Sequence, residues 1–146
     1  MRWLIALSVV IPACQLGANP AHAACQVDTK PVAFGVVDVA NRNDSNGEIV
    51  LNCSIGTSFA LGLSSNGSPS DRSMAGPNGG RLAYDLFTDR TRTTRWGDGG
   101  GGSSEVTGSS DGENASRFTI YGRVPSQDPV PPGAYSDILT VSVVFF

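Results

Sequence analysis

Apolar and polar residues alternate along several short segments of the chain. A period of two is what a β-strand with one buried face requires. The longest such run is the C-terminal segment 137–146, and shorter runs occupy residues 48–54, 59–64 and 82–86. Residues 32–39 are rich in valine, and β-branched and aromatic residues are frequent in all these segments. Because no segment keeps a helical period, the pattern predicts an all-β protein. The alternating apolar side chains are Ile49, Leu51, Cys53, Phe59, Leu61, Leu63, Leu82, Tyr84, Leu86, Phe118, Ile120, Val124, Leu139, Val141, Val143 and Phe145.

Turn-forming dipeptides separate the predicted strands. Asn46-Gly47, Asn66-Gly67 and Asn78-Gly79 each favour a hairpin or loop, because Asn and Gly tolerate the backbone angles of turns. Several short strands with frequent turn signals predict an antiparallel β-sandwich. The stretch from Trp96 to Gly112 is rich in glycine and almost free of apolar residues, so we predict that it forms a mobile exposed loop.

The first 23 residues contain the features of a secretory signal peptide in the usual order. Arg2 supplies a positive charge, an uncharged apolar run extends from Trp3 to Ala13, and Ala21-His22-Ala23 has the small residues that mark a cleavage site. The apolar run is too short for a membrane-spanning helix, which needs about 20 residues. We therefore predict an exported protein whose mature domain comprises residues 24–146.

The chain has three cysteines, and export decides their chemistry. Cys14 is removed with the predicted signal peptide; a lipoprotein signal that ends at Cys14 is the alternative, against which Pro12 argues. Cys25 and Cys53 remain, and oxidising conditions outside the cytoplasm favour a disulfide between them. Closing a loop of about 28 residues stabilises a fold by about 3 to 4 kcal/mol in the chain-entropy model.

The charge balance excludes several kinds of partner. The whole chain has 10 Lys and Arg against 13 Asp and Glu, which is a net charge of -3. Removal of Arg2 leaves 9 against 13, so the mature domain has a net charge of about −4. A mildly acidic surface has no electrostatic affinity for nucleic acid or for an anionic membrane. We therefore expect no nucleic-acid partner, and no second apolar run is long enough to span a membrane.

The residues that most enzymes use for catalysis are missing from the predicted mature domain. The only histidine of the chain, His22, leaves with the signal peptide, so a Ser-His-Asp or Cys-His system cannot form and a zinc site lacks histidine ligands. Both remaining cysteines are expected to pair, and Lys30, the only lysine, has no serine close in sequence. The glycine-rich stretch lacks the Gly-Lys-Ser/Thr of a phosphate-binding loop. We therefore predict no enzyme activity, no cofactor and no metal site.

A carbohydrate-binding or carbohydrate-active sandwich is the alternative that this elimination leaves. Trp96 could stack on a sugar, and Asp98 is a possible contact in the same loop. Packing of Trp96 over the end of the sandwich is the simpler interpretation. A glycosidase needs only two carboxyl groups at a suitable separation. Carboxylates in loops and at strand ends would have to supply them: Asp85, Asp89, Asp98, Glu105 and Asp128.

Short motifs in a fixed order run through nearly the whole mature length. They are Cys25, Phe34-Gly35, Asn52-Cys53, Arg72-Ser73-Met74, residues 82–89, Trp96-Gly97-Asp98-Gly99, residues 120–124 and residues 132–137, followed by the alternating tail. In this order and spacing the chain resembles the spore coat protein U domain, which is found in bacterial spore coats and in subunits of archaic chaperone–usher pili. The resemblance implies an immunoglobulin-like antiparallel β-sandwich that lacks one strand.

The resemblance also implies partners and a destination. In pilus subunits of this kind a periplasmic chaperone first fills the hydrophobic groove that the missing strand leaves. The N-terminal extension of a neighbouring subunit fills it later, during assembly at an outer-membrane usher. The implied function is a structural or adhesive subunit of a surface fibre or coat, exported through the periplasm to the cell surface and involved in cell adhesion and biofilm formation.

The C-terminal strand has the features that such a mechanism needs. A partner strand would pair along Leu139, Val141, Val143 and Phe145, whose side chains share one face. Gly133 is the fourteenth residue from the end and Phe145 is the penultimate one, and both resemble the C-terminal pattern of pilins. The same side chains would form the core of a complete sandwich.

The other end of the mature chain departs from the polymerising subunits. If cleavage follows Ala23, only Ala24 precedes Cys25. A donor segment that fills a groove needs roughly ten residues or more. We therefore hypothesise that the protein accepts a strand but does not donate one. Such a subunit would cap a fibre tip or form a coat that assembles in another way.

Overall fold

The computed structural model describes residues 3–5, 8–10 and 25–146. Their regular structure consists of β-strands and one short 3₁₀ turn at Pro77–Gly79, with no α-helix in the described ranges. The prediction of an all-β fold is therefore confirmed. The strands are β1 (Trp3–Ile5), β2 (Ser8–Val10), β3 (Cys25–Lys30), β4 (Gly35–Val37), β5 (Asn43–Cys53), β6 (Gly56–Ser64), β7 (Arg72–Ala75), β8 (Arg81–Phe87), β9 (Val106–Asp111), β10 (Ser116–Val124), β11 (Ala134–Tyr135) and β12 (Ile138–Phe145).

Two larger sheets form a sandwich-like arrangement. One has five strands in the order β3-β5-β10-β8-β7, and the other has four in the order β2-β12-β6-β9. A smaller sheet has the order β11-β1-β4. Neighbouring strands are antiparallel except where β1 meets β11 and β2 meets β12, which are parallel pairs. This architecture agrees with the predicted immunoglobulin-like sandwich. The described residues contain no helix that is long and apolar enough to cross a membrane.

The alternating apolar residues supply the core of the sandwich. Ile49 and Leu51 in β5 and Leu61 in β6 have no exposed surface. The ring of Phe59 meets that of Phe118 edge-on, with centroids 5.7 Å apart. An edge-on contact of this kind stabilises a core beyond the area it buries. The period of two in the sequence therefore marks the buried faces correctly.

Two connections were predicted correctly and one was not. Asn66-Gly67 lies between β6 and β7, and Asn78-Gly79 forms the 3₁₀ turn between β7 and β8. Asn46-Gly47 instead lies inside β5. Close packing requires the glycine at this position, because a Cβ atom on Gly47 would lie 2.7 Å from Val32 Cγ2.

The N-terminal half of the domain also differs from the pattern-based prediction. The valine-rich segment 32–39 contributes only the three residues of β4 to a strand. The sequence pattern did not predict β3, because this strand is mostly polar. It lies at the edge of the five-stranded sheet, where alternate side chains are only half-buried.

The glycine-rich stretch is more ordered than predicted. Its second half forms β9, which pairs with β6 from Gly56 to Leu61. In its first half Trp96 N–H donates to Leu86 O at 2.9 Å, and Gly97 N–H donates to Ser104 O at 2.9 Å. The prediction of an exposed loop over residues 96–112 was therefore wrong for Trp96 and Gly97, which are buried, and for the strand Val106–Asp111, whereas residues 98–102 are exposed as predicted. Backbone hydrogen bonds replace the apolar contacts that the sequence lacks there.

The predicted disulfide between Cys25 and Cys53 is confirmed. The two residues are directly opposite in the antiparallel pair of β3 and β5. Both belong to the core or pack against it. The bond therefore attaches the beginning of the edge strand β3 to the end of the neighbouring strand β5.

Replacement of both cysteines by serine (Cys25→Ser with Cys53→Ser) should lower the free energy of unfolding by about 3 to 4 kcal/mol, because the unfolded chain regains the freedom of a long loop. Urea denaturation measures this difference. Reduction of the native protein should produce the same loss, and a reducing agent should leave the double variant unchanged. An equal stability of the native and reduced protein would contradict the prediction.

Candidate functional site

Strand β12 has one paired edge and one edge that is largely open. Along the first edge it pairs with β6 from Thr140 to Phe145. Along the second it pairs only with β2, over Ile138–Thr140. In the described ranges no strand pairs with that second edge between Val141 and Phe145. Unpaired N–H and C=O groups at a sheet edge are available to another strand.

The two N-terminal strands occupy the position beside this edge. Leu4 of β1 is opposite Ala134 and Ser8 of β2 is opposite Ile138, so partners differ by 130 in residue number in both parallel pairs. β1 and β2 therefore lie one after the other beside residues 134–140, with the same register. On its other side β1 pairs antiparallel with β4, where Leu4 is opposite Val36. We call this position, which lies between residues 134–145 and β4, the edge slot.

The side of the edge slot that faces the core is apolar. Tyr135 and Leu139 have no exposed surface and Val141 is 2% exposed. Val143 and Phe145 are half-buried and pack against the same core. Since neighbouring strands in register point alternate side chains to the same face, every second residue of a strand in the slot would face this core.

The start of the edge slot depends on the lack of a side chain at Gly133. This glycine has φ +147°, and a Cβ atom there would collide with the ring of Pro77. The next inward residue, Tyr135, donates its hydroxyl hydrogen to Pro131 O at 2.5 Å. The glycine that the sequence analysis assigned to a pilin-like motif thus has a steric reason in this fold.

A buried polar cluster adjoins the first residue of β12. The Tyr84 hydroxyl donates to Asp137 Oδ2 at 2.5 Å, and Ile138 N–H donates to Asp137 Oδ1 at 2.9 Å. Arg72 is 1% exposed and donates from Nη2 to Leu63 O at 3.0 Å. The cluster therefore connects β7 and β8 to the beginning of β12 and to the end of β6.

Burial dominates the electrostatics of this cluster. Desolvation, followed by the hydrogen bond to Asp137, raises the pKa of the Tyr84 hydroxyl far above its ordinary value. Desolvation lowers the pKa of Arg72, and the nearby Tyr84 and carboxylates oppose the change. Arg72 Nε and Nη1 have no hydrogen-bond partner in the described part of the protein. A buried charge with unsatisfied donors is costly, so these two nitrogens lower the net stabilisation that the cluster gives to the core.

The residues proposed for sugar recognition lie elsewhere. Trp96 has no exposed surface, and its indole N–H donates to Leu61 O at 3.0 Å. Trp96 is therefore part of the core and does not present a ring for stacking. Asp98 is exposed and accepts a hydrogen bond from Gly100 N–H at 2.9 Å. Its carboxylate stabilises the turn of the glycine-rich loop.

Two of the carboxylates considered for glycoside cleavage have structural partners. Asp85 pairs with Arg95 Nε at 3.1 Å. Asp89 accepts bonds from the backbone N–H groups of Thr93 and Thr94, and its hydrogen bonds to Thr91 and Thr93 lower its pKa. Across the residues that the structure describes, no group of three or more His, Cys, Asp or Glu side chains could hold a metal ion.

The model of the Spore Coat Protein U domain family matches residues 12–142, which is most of the chain. This protein belongs to the Spore Coat Protein U domain family. The resemblance inferred from the order of the motifs is thereby confirmed. A comparison with curated proteins finds no match.

A solved structure with the same fold comes from a pilus system. It is the CsuC–CsuE chaperone–tip adhesion subunit pre-assembly complex of the archaic chaperone–usher Csu pili of Acinetobacter baumannii. The superposition has a TM-score of 0.65 at 21% sequence identity and covers 85% of this chain. It covers 40% of the chain that is matched.

Sequence analysis identified the C-terminal edge of the site and missed its other parts. β4 and β11 are too short for a visible alternation. One feature of the sequence indicates the buried cluster. Arg72 precedes Met74 by two residues, so both side chains lie on the inward face of β7. An arginine at an inward position is a mark of a buried polar contact, and only the fold shows that the contact adjoins β12.

Tyr84→Phe should change how stability depends on pH. The pKa of Tyr84 is raised by folding, so this group contributes stability that is complete below about pH 10, the unfolded value, and is lost as the pH rises above it. The native protein should therefore lose more stability between pH 8 and pH 11 than the variant. At pH 7 the variant should be less stable by about 1 to 3 kcal/mol, because Asp137 loses a buried donor. Urea unfolding at each pH measures both effects, and identical alkaline slopes would contradict the assignment.

Proposed function

We propose that this Spore Coat Protein U domain is a non-catalytic structural subunit of a bacterial surface fibre or coat and assembles by accepting a β-strand from a partner. The observation that carries the proposal is the occupant of the edge slot. β1 and β2 occupy the part of the slot beside residues 134–140, and both belong to the segment that the sequence predicts to be a cleaved signal peptide. The predicted cleavage site after Ala23 lies outside the described residues.

Removal of β1 and β2 would leave the slot empty. The edge of β12 over Ile138–Thr140 and the edge of β4 would then lack pairing, beside the apolar face to which Leu139 and Val141 belong. An exposed apolar edge of this length invites aggregation. β-augmentation satisfies both needs, because backbone pairing provides affinity and alternate side chains enter the core.

The need for a cover begins with export, so the proposal includes a sequence of partners. A periplasmic chaperone would fill the slot first. A strand from a neighbouring subunit would replace it during assembly at an outer-membrane usher. The similar fold in a chaperone–tip adhesion subunit pre-assembly complex supports a chaperone as the first partner in this sequence.

We further propose that the protein accepts a strand without donating one. β3 begins at Cys25, and the disulfide to Cys53 fixes this residue in the sheet. Cleavage after Ala23 would leave one residue before β3, against the roughly ten that a donor strand needs. Purified mature protein should therefore form no fibres by itself, as judged by electron microscopy. Spontaneous polymerisation would show that the protein also donates a strand. It would leave the proposal that the protein accepts a strand intact.

Adjacent valines of β12 offer a matched test of strand acceptance. Val143 is half-buried and faces the core side of the edge slot, whereas Val144 is 56% exposed on the opposite face. When the full chain is co-expressed with a chaperone of the chaperone–usher class, Val143→Asp should reduce the yield of complex by about tenfold or more, because a charge would enter an apolar groove. Affinity purification through the chaperone measures the yield.

Val144→Asp is the control for this test. It introduces the same charge one residue away, and the complex should form as with the native chain. The melting temperature of each variant should be compared to separate loss of folding from loss of binding. A chaperone that binds both variants equally well, or that does not bind the native chain, would contradict the proposed function.

A further inference from the structure

We propose that Gly47 and Gly122 are positioning residues for the partner strand. They leave a notch in the inner face of the five-stranded sheet, the notch holds the crossing segment 31–34, and that segment places β4 opposite β12. This inference rests on the proposed function, since it concerns the second edge of the edge slot. It assigns a role to two positions that do not touch the slot.

The first step is that β4 has no partner in either large sheet. Its only pairing within the described residues is with β1. β3 belongs to the five-stranded sheet up to Lys30, and the chain then crosses to β4, which begins at Gly35. If a partner strand replaces β1, strand pairing cannot hold β4 before the partner arrives. Something outside the slot must therefore hold it.

The second step is the geometry of the notch. Gly47 on β5 and Gly122 on β10 both lie on the buried face of adjacent strands. Val32 has no exposed surface. A Cβ atom on Gly47 would lie 2.7 Å from Val32 Cγ2 and 2.8 Å from Lys30 O, and one on Gly122 would lie 2.7 Å from Val32 Cγ1 and 2.9 Å from Phe34 Cζ. Val32 therefore occupies space that two side chains would otherwise fill.

The third step is that the notch is reinforced at both ends of β4. Ser45 Oγ donates to Ala33 O at 2.6 Å, just before the strand. Gln127 N–H donates to Val39 O at 2.9 Å, just after it. Val37 within β4 has no exposed surface. These contacts lie outside the edge slot, so they would persist when β1 is exchanged for another strand.

The backbone at the two glycines shows that space is what they provide. Neither has a φ in the left-handed region, so alanine is compatible with their backbone. A single added methyl group would instead push against Val32 and Phe34 at distances below 3 Å, which requires the crossing segment to move. Because β4 continues directly from this segment, its edge would move away from the partner strand.

Hydrogen exchange of the full chain, refolded under oxidising conditions, tests the inference with β1 as the strand in the slot. In Gly122→Ala, the amides of β1 and β4 should exchange at least about tenfold faster than in the native chain, while those of β5 and β10 keep their protection. Gly108→Ala is the matched control. Its Cβ would lie 3.0 Å from Phe59 Cζ, in a crowded place that does not contact the crossing segment.

A second substitution separates the notch from a general loss of stability. Val32→Ala added to Gly122→Ala removes the methyl groups that the new Cβ meets, so protection of β1 and β4 should recover at least in part. Unchanged protection in Gly122→Ala, or a uniform loss across all strands without recovery in the double variant, would overturn the inference. Either result leaves the proposed function untouched, because that function is tested separately by chaperone binding to the native chain and to the Val143→Asp and Val144→Asp variants.

Discussion

The open backbone edge of β12 is the constraint on which the rest of the structure depends. A strand at the rim of a sheet presents donors and acceptors that must pair with protein or water. Here the neighbouring face is apolar, so water is an unfavourable hydrogen-bond partner for this edge. The N-terminal segment supplies the pairing over Ile138–Thr140. In the proposed assembly a partner strand would take this position and supply the same backbone pairing.

Around the edge slot, positions without a side chain are as important for packing as positions with one. Gly133 lets the chain pass Pro77, and Gly47 and Gly122 make room for Val32. Each of these positions lets two backbone segments approach more closely than an alanine would allow. The polar cluster of Arg72 has the opposite character, because it places a charge in the core and connects β6, β7 and β8 to the start of β12. Close backbone contact and a buried hydrogen-bonded cluster both restrict the position of a strand more than apolar packing alone does.

Long strands with one buried face could be predicted from the sequence, and short or crossing ones could not. β6 and β12 run for eight or nine residues, so their alternation is visible. β4 has three residues and β11 has two, and such lengths carry no period. Asn46-Gly47 is a typical turn dipeptide, yet it lies inside β5. A glycine that avoids a steric clash cannot be distinguished in the sequence from a glycine that forms a turn. Trp96 was placed beside a loop for a related reason: the buried partner of its indole, Leu61 O, is 35 residues away in sequence.

The sequence by itself determined the all-β class, the pairing of Cys25 with Cys53 and the inward face of β12, because alternation and cysteine chemistry act locally or follow from export. Only the tertiary structure decided which edge of β12 is open and what lies on the far side of the slot. Those facts depend on the register between segments that are far apart in the sequence, such as Leu4 opposite Ala134 on one side and Val36 on the other. The hydrophobic pattern restricts the register of a half-buried strand, but it does not identify which distant segment is the neighbour.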